Sequence, residues 1–386
     1  MTSLRLSLFY GGYFGAVGVI LPFWPLWLAG RGIGPDEIGL LVGAGLLARV
    51  ISGPVAAHIA DGGGDVRRLI LGLAIGALAV FTLFPWTDGL WPVVGLWLLF
   101  GCFWSPIMSL GESVTLSCVR SHSVDYGRVR LWGSVTFIVV SAASGRLLAG
   151  NEPALIHALI LGLITVTVAV CLLLPKTPNV ARERGKLPFG QVLGNRRFLA
   201  MLAAGALLQC SHAVYYAFGS IHWAAAGHSE AVIGWLWAEG VIAETILFVV
   251  SARFIDRLGP GRMFALAGLA GVIRWPVLAL STDLTALIAV QALHALTFGS
   301  AHLAAISFIR QQLPPSLSAT GLSVYSSGVN GIAMGVVMLL SGQLYAQYQG
   351  QAYVAMAAMC LAGGVIGLSM ARDERRSNAA DAARGG

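Results

Sequence analysis

Six charged side chains stand inside stretches that are otherwise apolar: Arg49, Glu112, Arg130, Glu239, Glu244 and Arg274. His212 and His294 add titratable groups to stretches of the same kind. A charge near a bilayer centre costs at least ~2.5–3.5 kcal/mol on insertion scales, so it faces a partner or a water-filled cavity. The three positive and three negative charges can balance one another. The chemistry they offer is recognition of a charged solute and movement of a proton. Arg130 carries a planar fork that can bind a carboxylate bidentately, and Arg49 is the alternative holder. Glu244, near the middle of its stretch, is a carboxylate able to carry a proton. Glu239 lies about a turn and a half nearer the outside on a different face and reads as an entrance residue. Glu112 and Arg130 should lie at similar depth in the cytoplasmic third, on adjacent stretches. A Glu–Arg pair there serves structure or function equally well.

Polar side chains also fall in stripes. Gln291, His294 and His302 share one broad helical face, and Gln209, His212 and Tyr216 share another, with Tyr215 beside them. A lone histidine in such a helix usually makes an interhelical hydrogen bond, but two stripes favour a cavity lining. Trp24, Trp27, Trp104, Trp132, Trp223 and Trp237 supply aromatic area. Most tryptophans of such chains anchor at the membrane interface; Trp104 and Trp132 are the candidates to enclose a substrate ring, with Tyr215 and Tyr216.

The elements that must position these groups are membrane-length helices. The chain is 57% hydrophobic and only 11% charged, with a mean hydropathy of +0.78, whereas a soluble domain carries roughly 25% charged residues. The apolar runs are continuous rather than alternating, which excludes a β-barrel. A span needs about 20 apolar residues. Twelve spans are predicted, at 5–29, 38–60, 69–86, 91–117, 129–149 and 153–174, then 198–225, 232–252, 263–282, 284–309, 321–345 and 352–371. The first run is too long for a cleavable signal and no A-x-A site follows it.

One separation, 195 positions, recurs along the chain. Ile38-Gly39 returns as Ile233-Gly234, Asp61 as Asp256, Gly64 as Gly259, Val129 as Val324 and Gly133 as Gly328. One unit written twice predicts an all-α membrane protein of two pseudo-symmetric six-helix halves with a cavity between them, as in a secondary transporter. The expected organisation is an N-terminal bundle 1–174, a linker 175–197, a C-terminal bundle 198–371 and a tail 372–386. The same offset carries Arg49 onto Glu244 and Arg130 onto Tyr325, so the duplicated scaffold has acquired unlike chemistry.

Arginine and lysine set the direction. They crowd one set of loops, the 175–197 linker and the tail, while the alternate loops hold only Arg31 and Arg146. Both termini and the linker are therefore expected in the cytoplasm of a bacterial inner membrane. The net charge of +7 follows from these loops and implies no nucleic-acid partner. The linker's charge run reads as a solvated tether.

Two cytoplasmic loops repeat a signature: Asp61-Gly-Gly-Gly64-Asp-Val-Arg67-Arg68 and Asp256-Arg257-Leu-Gly259-Pro-Gly-Arg262. A carboxylate at a helix end can pair with arginines and hold one conformation until the halves rock, and the glycine permits a tight reversal. Asp61, Gly64, Asp256 and Gly259 are the expected gating residues.

Enzymatic classes find no support. There is no G-x-x-x-x-G-K-[ST] loop, no H-E-x-x-H and no Ser/His/Asp constellation, and ATP-driven transport would need a nucleotide domain. The five cysteines, Cys102, Cys118, Cys171, Cys210 and Cys360, all lie in apolar spans without metal spacing. No cofactor or metal is expected.

The loop signature resembles that of the major facilitator superfamily, in which a base is usual where the first copy has Asp65. Asp125-Tyr-Gly-Arg-Val-Arg130-Leu-Trp-Gly-Ser134 resembles the start of span five in its lactose permease and phenylpropionate permease branch. Leu21-Pro-Phe-Trp24, Gln209-Cys-Ser-His-Ala-Val-Tyr-Tyr216, Ala243-Glu244, Gly271-Val-Ile-Arg-Trp275 and Gln291-Ala-Leu-His294 are similar to the phenylpropionate branch. The resemblance runs nearly end to end. It implies a proton-coupled importer of a small aromatic acid, with Glu112 and Arg130 at the substrate site and Arg274 and His294 in proton coupling. The proton-carrying glutamate that lactose-permease-like members place one turn after that histidine is Thr297 here, and Glu244 is the substitute carboxylate. The sugar-site acid of span eight aligns near Val241, which argues against a galactoside.

The function expected is symport of a proton with a small organic, aromatic acid by a monomer. A proton-coupled sugar or nucleoside importer is the alternative. A drug/proton antiporter is weaker, because span five lacks the Gly-Pro run with paired glycines of such exporters.

Overall fold

The computed structural model describes residues 1–62, 64–121, 124–176, 189–251 and 255–385; for residues 121, 255, 256 and 377–385 the description stops at the backbone. Most of the linker lies outside these residues. The first six helices are α1 (Thr2–Gly30), α2 (Pro35–Asp61), α3 (Val66–Thr82), α4 (Leu90–Ser121), α5 (Tyr126–Leu148) and α6 (Ala154–Cys171). α7 has two pieces, Arg196–Cys210 and Ala213–Ala225, and α8 (Glu230–Ser251) and α9 (Pro260–Leu280) follow. α10 runs Leu284–Gln291, a wide π-type turn Ala295–Ser300, then Ala301–Gln312. α11 repeats that form as Pro315–Ser327, Gly328–Ala333 and Met334–Tyr348, and α12 is Ala352–Gly385.

The last two spans read as one apolar stretch, Pro315–Arg376, of 62 residues. A straight helix of that length would reach ~93 Å, about three bilayer cores. The chain reverses instead at Gln349, whose φ of +50° makes it the one non-glycine residue in the left-handed region among the described residues. Twelve membrane-length helices result among the described residues, as the sequence predicts. Short polar side chains start several of them. Asp125 accepts from Arg128 N at 3.1 Å, Asn195 from Arg197 N at 3.0 Å, and Asp283 from Thr285 N at 2.9 Å.

Small residues let the backbones close up, as they do where lipid gives helices no hydrophobic reason to associate. A Cβ at Gly268 of α9 would lie 2.5 Å from Gly364 Cα of α12, and one at Gly18 of α1 would lie 3.0 Å from the Phe137 carbonyl of α5. The outward faces are apolar: Ile51, Val55 and Ile59 on α2, and Leu361, Val365 and Leu368 on α12, are all exposed large hydrophobics at helical spacing. Such faces suit lipid rather than water.

The chain divides into two compact units, Met1–Arg184 with Tyr216–Ala238, and Gly185–Tyr215 with Glu239–Gly386. The division cuts α7 and α8, so the units differ from the bundles 1–174 and 198–371 by one exchanged segment. Its cause is a backbone-to-backbone approach inside the first unit. Ser141 Oγ of α5 donates to the Gly234 carbonyl of α8 at 3.1 Å, and a Cβ at Gly145 or Gly234 would collide with the facing backbone.

Candidate substrate and proton sites

The second unit holds a buried polar network centred on Arg274 of α9, a side chain with no solvent exposure. Its Nη1 lies 3.0 Å from His294 Nδ1 and donates to Thr297 Oγ1 at 3.0 Å; its Nη2 donates to Gln291 Oε1 at 2.7 Å. Gln291 passes the chain on by donating from Nε2 to Tyr215 Oη at 3.0 Å. The guanidinium carbon also lies 4.8 Å from the Tyr215 ring centre and 4.6 Å from that of Trp275, a cation–π geometry. On its other side, His294 Nε2 is 3.6 Å from Glu244 Oε2 of α8.

Proton positions follow from the donors. A guanidinium has no acceptor, so His294 Nδ1 accepts from Arg274 and the imidazole keeps its hydrogen on Nε2, facing Glu244. A second proton on His294 would break the Arg274 contact and set two cations side by side. His212 adds a second fixed ring. Its Nδ1 lies 3.2 and 3.1 Å from the Leu208 and Gln209 carbonyls, and its Nε2 lies 3.1 Å from Thr297 Oγ1. Thr297 thus joins Arg274 to His212 where the sequence shows only a missing glutamate. The wide turn that begins at Ala295 sits at this junction, and insertions of this kind frequently mark functional positions. Glu239 also lies within electrostatic reach of Arg274.

The first unit holds a different group of side chains. Arg130 of α5 is half-buried, and its guanidinium carbon stands 4.1 Å over the Phe14 ring and 5.5 Å from that of Tyr10, both on α1. Glu112 and Arg130 do not pair: Glu112 Oε1 instead accepts from Tyr126 Oη at 3.0 Å, and Arg130 enters no ion pair among the described residues. The Tyr10 hydroxyl is buried beside Thr115 and Tyr126 without a hydrogen bond of good geometry. Tyr13 lies within electrostatic reach of Arg49, Arg130 and Glu112, and Arg49 itself is exposed on α2.

From Tyr13 a row of rings runs along α1 and α4. Tyr13 stacks on Trp104 at 4.6 Å, Trp104 on Phe100 at 5.7 Å, and Phe100 contacts Trp97 at 5.4 Å. Trp97 stacks on Trp24 at 5.4 Å and Trp24 on Trp27 at 4.6 Å. Trp104 therefore belongs with Arg130. Trp132 does not: two helical residues lie ~200° apart, and Trp132 is 53% exposed on the side of α5 away from Phe14. The adjacent tyrosines part in the same way, Tyr215 joining the Arg274 network while Tyr216 stacks on Trp237 at 6.2 Å. Phe14, Tyr13, Tyr10 and Tyr126 go unnoticed in the sequence. The spacing of Tyr10, Tyr13 and Phe14, matched by Trp97, Phe100 and Trp104, is the signal that would have found them.

The two loop signatures differ. Asp61 ends α2 exposed, and Asp65, in the place of the usual base, caps α3 by accepting from Arg67 N at 3.0 Å. Gly64 has an ordinary φ and open space where a Cβ would go, so the reversal there does not require glycine. Gly259 has φ +76° and ψ 157°, a region essentially reserved for glycine. Asp256 lies on the short helix Ile255–Leu258, and its side chain is outside the described residues. The carboxylate seen at this loop is Glu374 of α12, whose Oε1 accepts from Gly261 N at 3.1 Å. Gly259→Ala should therefore destabilise the purified protein by about 1–3 kcal/mol, read as a lowered thermal midpoint in detergent, while Gly64→Ala should leave that midpoint unchanged.

Charged side chains within membrane-length helices whose outward faces are apolar fit a membrane transporter. The MFS_1 like family model matches residues 3–356, and the chain belongs to that family of major facilitator transporters. It is a multi-pass membrane protein that moves a small-molecule substrate and is not an enzyme. It is 36% identical over 379 residues to a probable 3-phenylpropionic acid transporter of Escherichia coli (strain K12), a match covering 94% of this chain and 97% of that one. It is 26% identical over 384 residues to the maltose permease of Geobacillus stearothermophilus, covering 95% and 94%. Among solved structures, the nucleoside transporter NupG superposes with a TM-score of 0.82 at 16% identity, covering 96% of this chain and 98% of that one; at that identity the likeness concerns the fold.

Proposed function

We propose that this transporter imports a small aromatic monocarboxylate together with a proton, as a monomer in the bacterial inner membrane with both termini in the cytoplasm. The observation that carries the substrate reading is Arg130, a membrane-embedded guanidinium without an ion-paired carboxylate among the described residues, at the head of a row of aromatic rings. A carboxylate received by its fork would gain two charge-assisted hydrogen bonds, with the Tyr10 hydroxyl as a further donor. The attached ring would meet Phe14, Tyr13 and Trp104. A sugar or nucleoside would instead need neutral donors and acceptors to satisfy its hydroxyls, whereas the Arg130 guanidinium itself stands against the rings of Phe14 and Tyr10. The relative at 36% identity carries an aromatic acid in its name, which agrees.

Glu244 would supply the coupling. While ionised it faces His294 and helps to offset the buried charge of Arg274; once protonated it offsets less of that charge, and the unit then favours a state that recruits an anion. Asp61, Gly64, Asp256 and Gly259 are the proposed hinge and gate positions on the cytoplasmic side, with Gly259 the one whose backbone needs its residue type. A binding screen of the purified protein against aromatic acids, sugars and nucleosides at two pH values tests the reading. Saturable binding of aromatic acids, stronger at the lower pH, is the expected result. Binding of sugars or nucleosides with no competition from aromatic acids would replace it with the alternative.

A further inference from the structure

A cavity of about 390 Å³ opens at the end of the second unit that carries the start of α7, the Gly259 loop, the end of α10 and the end of the apolar part of α12. Five arginines line it: Arg196, Arg197, Arg257, Arg262 and Arg375. They come from three separate segments, and none enters an ion pair among the described residues. Two acids share the lining, Asp373 and Glu374, so the wall keeps a net charge of about +3. Glu374 accepts from the Gly261 amide at 3.1 Å and lies within electrostatic reach of Arg197 and Arg262. The floor is apolar, formed by Ala200, Pro260, Phe308 and Met370.

We propose that this cavity binds a phosphate group. Guanidinium forks match phosphate oxygens bidentately. Converging cations that outnumber the acids among them repel one another unless a further anion joins them. The apolar floor suits a phosphate that carries a lipid tail, and the position at helix ends is the depth of phospholipid headgroups. On the side that charge asymmetry assigns to the cytoplasm, those headgroups are the more anionic. The phosphate therefore comes either from an anionic phospholipid of that leaflet or from a soluble phosphate compound. In either case the second loop signature, through Arg257, Gly259 and Arg262, becomes part of a ligand site. The site is independent of the transport substrate.

The test uses the full-length protein in neutral detergent. Thermal midpoints are followed on titration with phosphatidylglycerol, with phosphatidylcholine, and with inorganic phosphate against a chloride control of equal ionic strength. A saturable rise with phosphatidylglycerol and not with phosphatidylcholine identifies the lipid source; a rise with phosphate over chloride identifies the soluble one. In either arm Arg197→Gln and Arg262→Gln should each weaken the response by about tenfold or more, whereas Arg372→Gln and Arg376→Gln, which neighbour the cavity without lining it, should not. Equal responses to both lipids with none to phosphate overturns the proposal, and this wild-type comparison decides even if a cavity variant fails to fold. A response undiminished in folded Arg197→Gln and Arg262→Gln overturns it equally.

Discussion

Arg130→Gln is expected to abolish the binding of aromatic acids while leaving the fold intact. Removing one partner of a desolvated charge pair costs roughly 2–5 kcal/mol, about thirtyfold to a few thousandfold in affinity. The glutamine cannot restore it, because its amide offers no charge. Arg130→Lys restores the charge but not the fork and should recover only part of the loss. The half-buried setting over Phe14 makes the variant easy to tolerate, since Arg130 holds no carboxylate in place and Glu112 keeps Tyr126 as its partner. Isothermal titration with an aromatic acid and its neutral amide separates the roles. The acid should lose far more affinity than the amide; equal losses would make Arg130 a structural residue.

Glu244→Gln should uncouple transport from the proton without abolishing substrate movement. The introduced amide copies the protonated carboxyl, so the row that runs through His294 to Arg274 would be held permanently in its proton-loaded form. Accumulation driven by an imposed proton gradient should fall to the level of protein-free vesicles. Exchange of internal for external substrate, which needs no net proton movement, should persist. The pH dependence of binding should go as well. In the wild type, affinity for the anion should rise as pH falls, because protonation removes part of the charge that offsets Arg274; in the variant, affinity should be high and flat. The two activities are measured in one preparation of proteoliposomes, and loss of both together would instead assign Glu244 to the substrate site or to folding.

The spans and the duplication were legible because both are written in hydropathy and fixed spacing, which need no knowledge of how helices face one another. The residues of the second-unit network were legible for a similar reason. Arg274, Gln291 and His294 are polar groups in apolar helices, and each must find partners. Two things were hidden. The rotation of α1 against α4 and α5 decides that Phe14 lies under Arg130 and that Trp104 meets Tyr13, and no residue type encodes it. Nearness along the chain also misleads in a helix, so Trp132, two residues from Arg130, points away from it, and Tyr215 and Tyr216 serve different clusters. Glu374 was hidden in a different way. The sequence sets 372–386 apart as a tail, yet the continuation of α12 carries the Glu374 carboxylate back to the start of α9.

The central claim is that an aromatic carboxylate and a proton cross together through this chain. The most direct measurement is the pH inside proteoliposomes, reported by a trapped dye, when an aromatic acid is added outside with no gradient imposed. Acidification faster than in protein-free vesicles, saturating with the acid and absent in Glu244→Gln, is the predicted result. Saturable entry of the acid with no acidification beyond that of protein-free vesicles would contradict it.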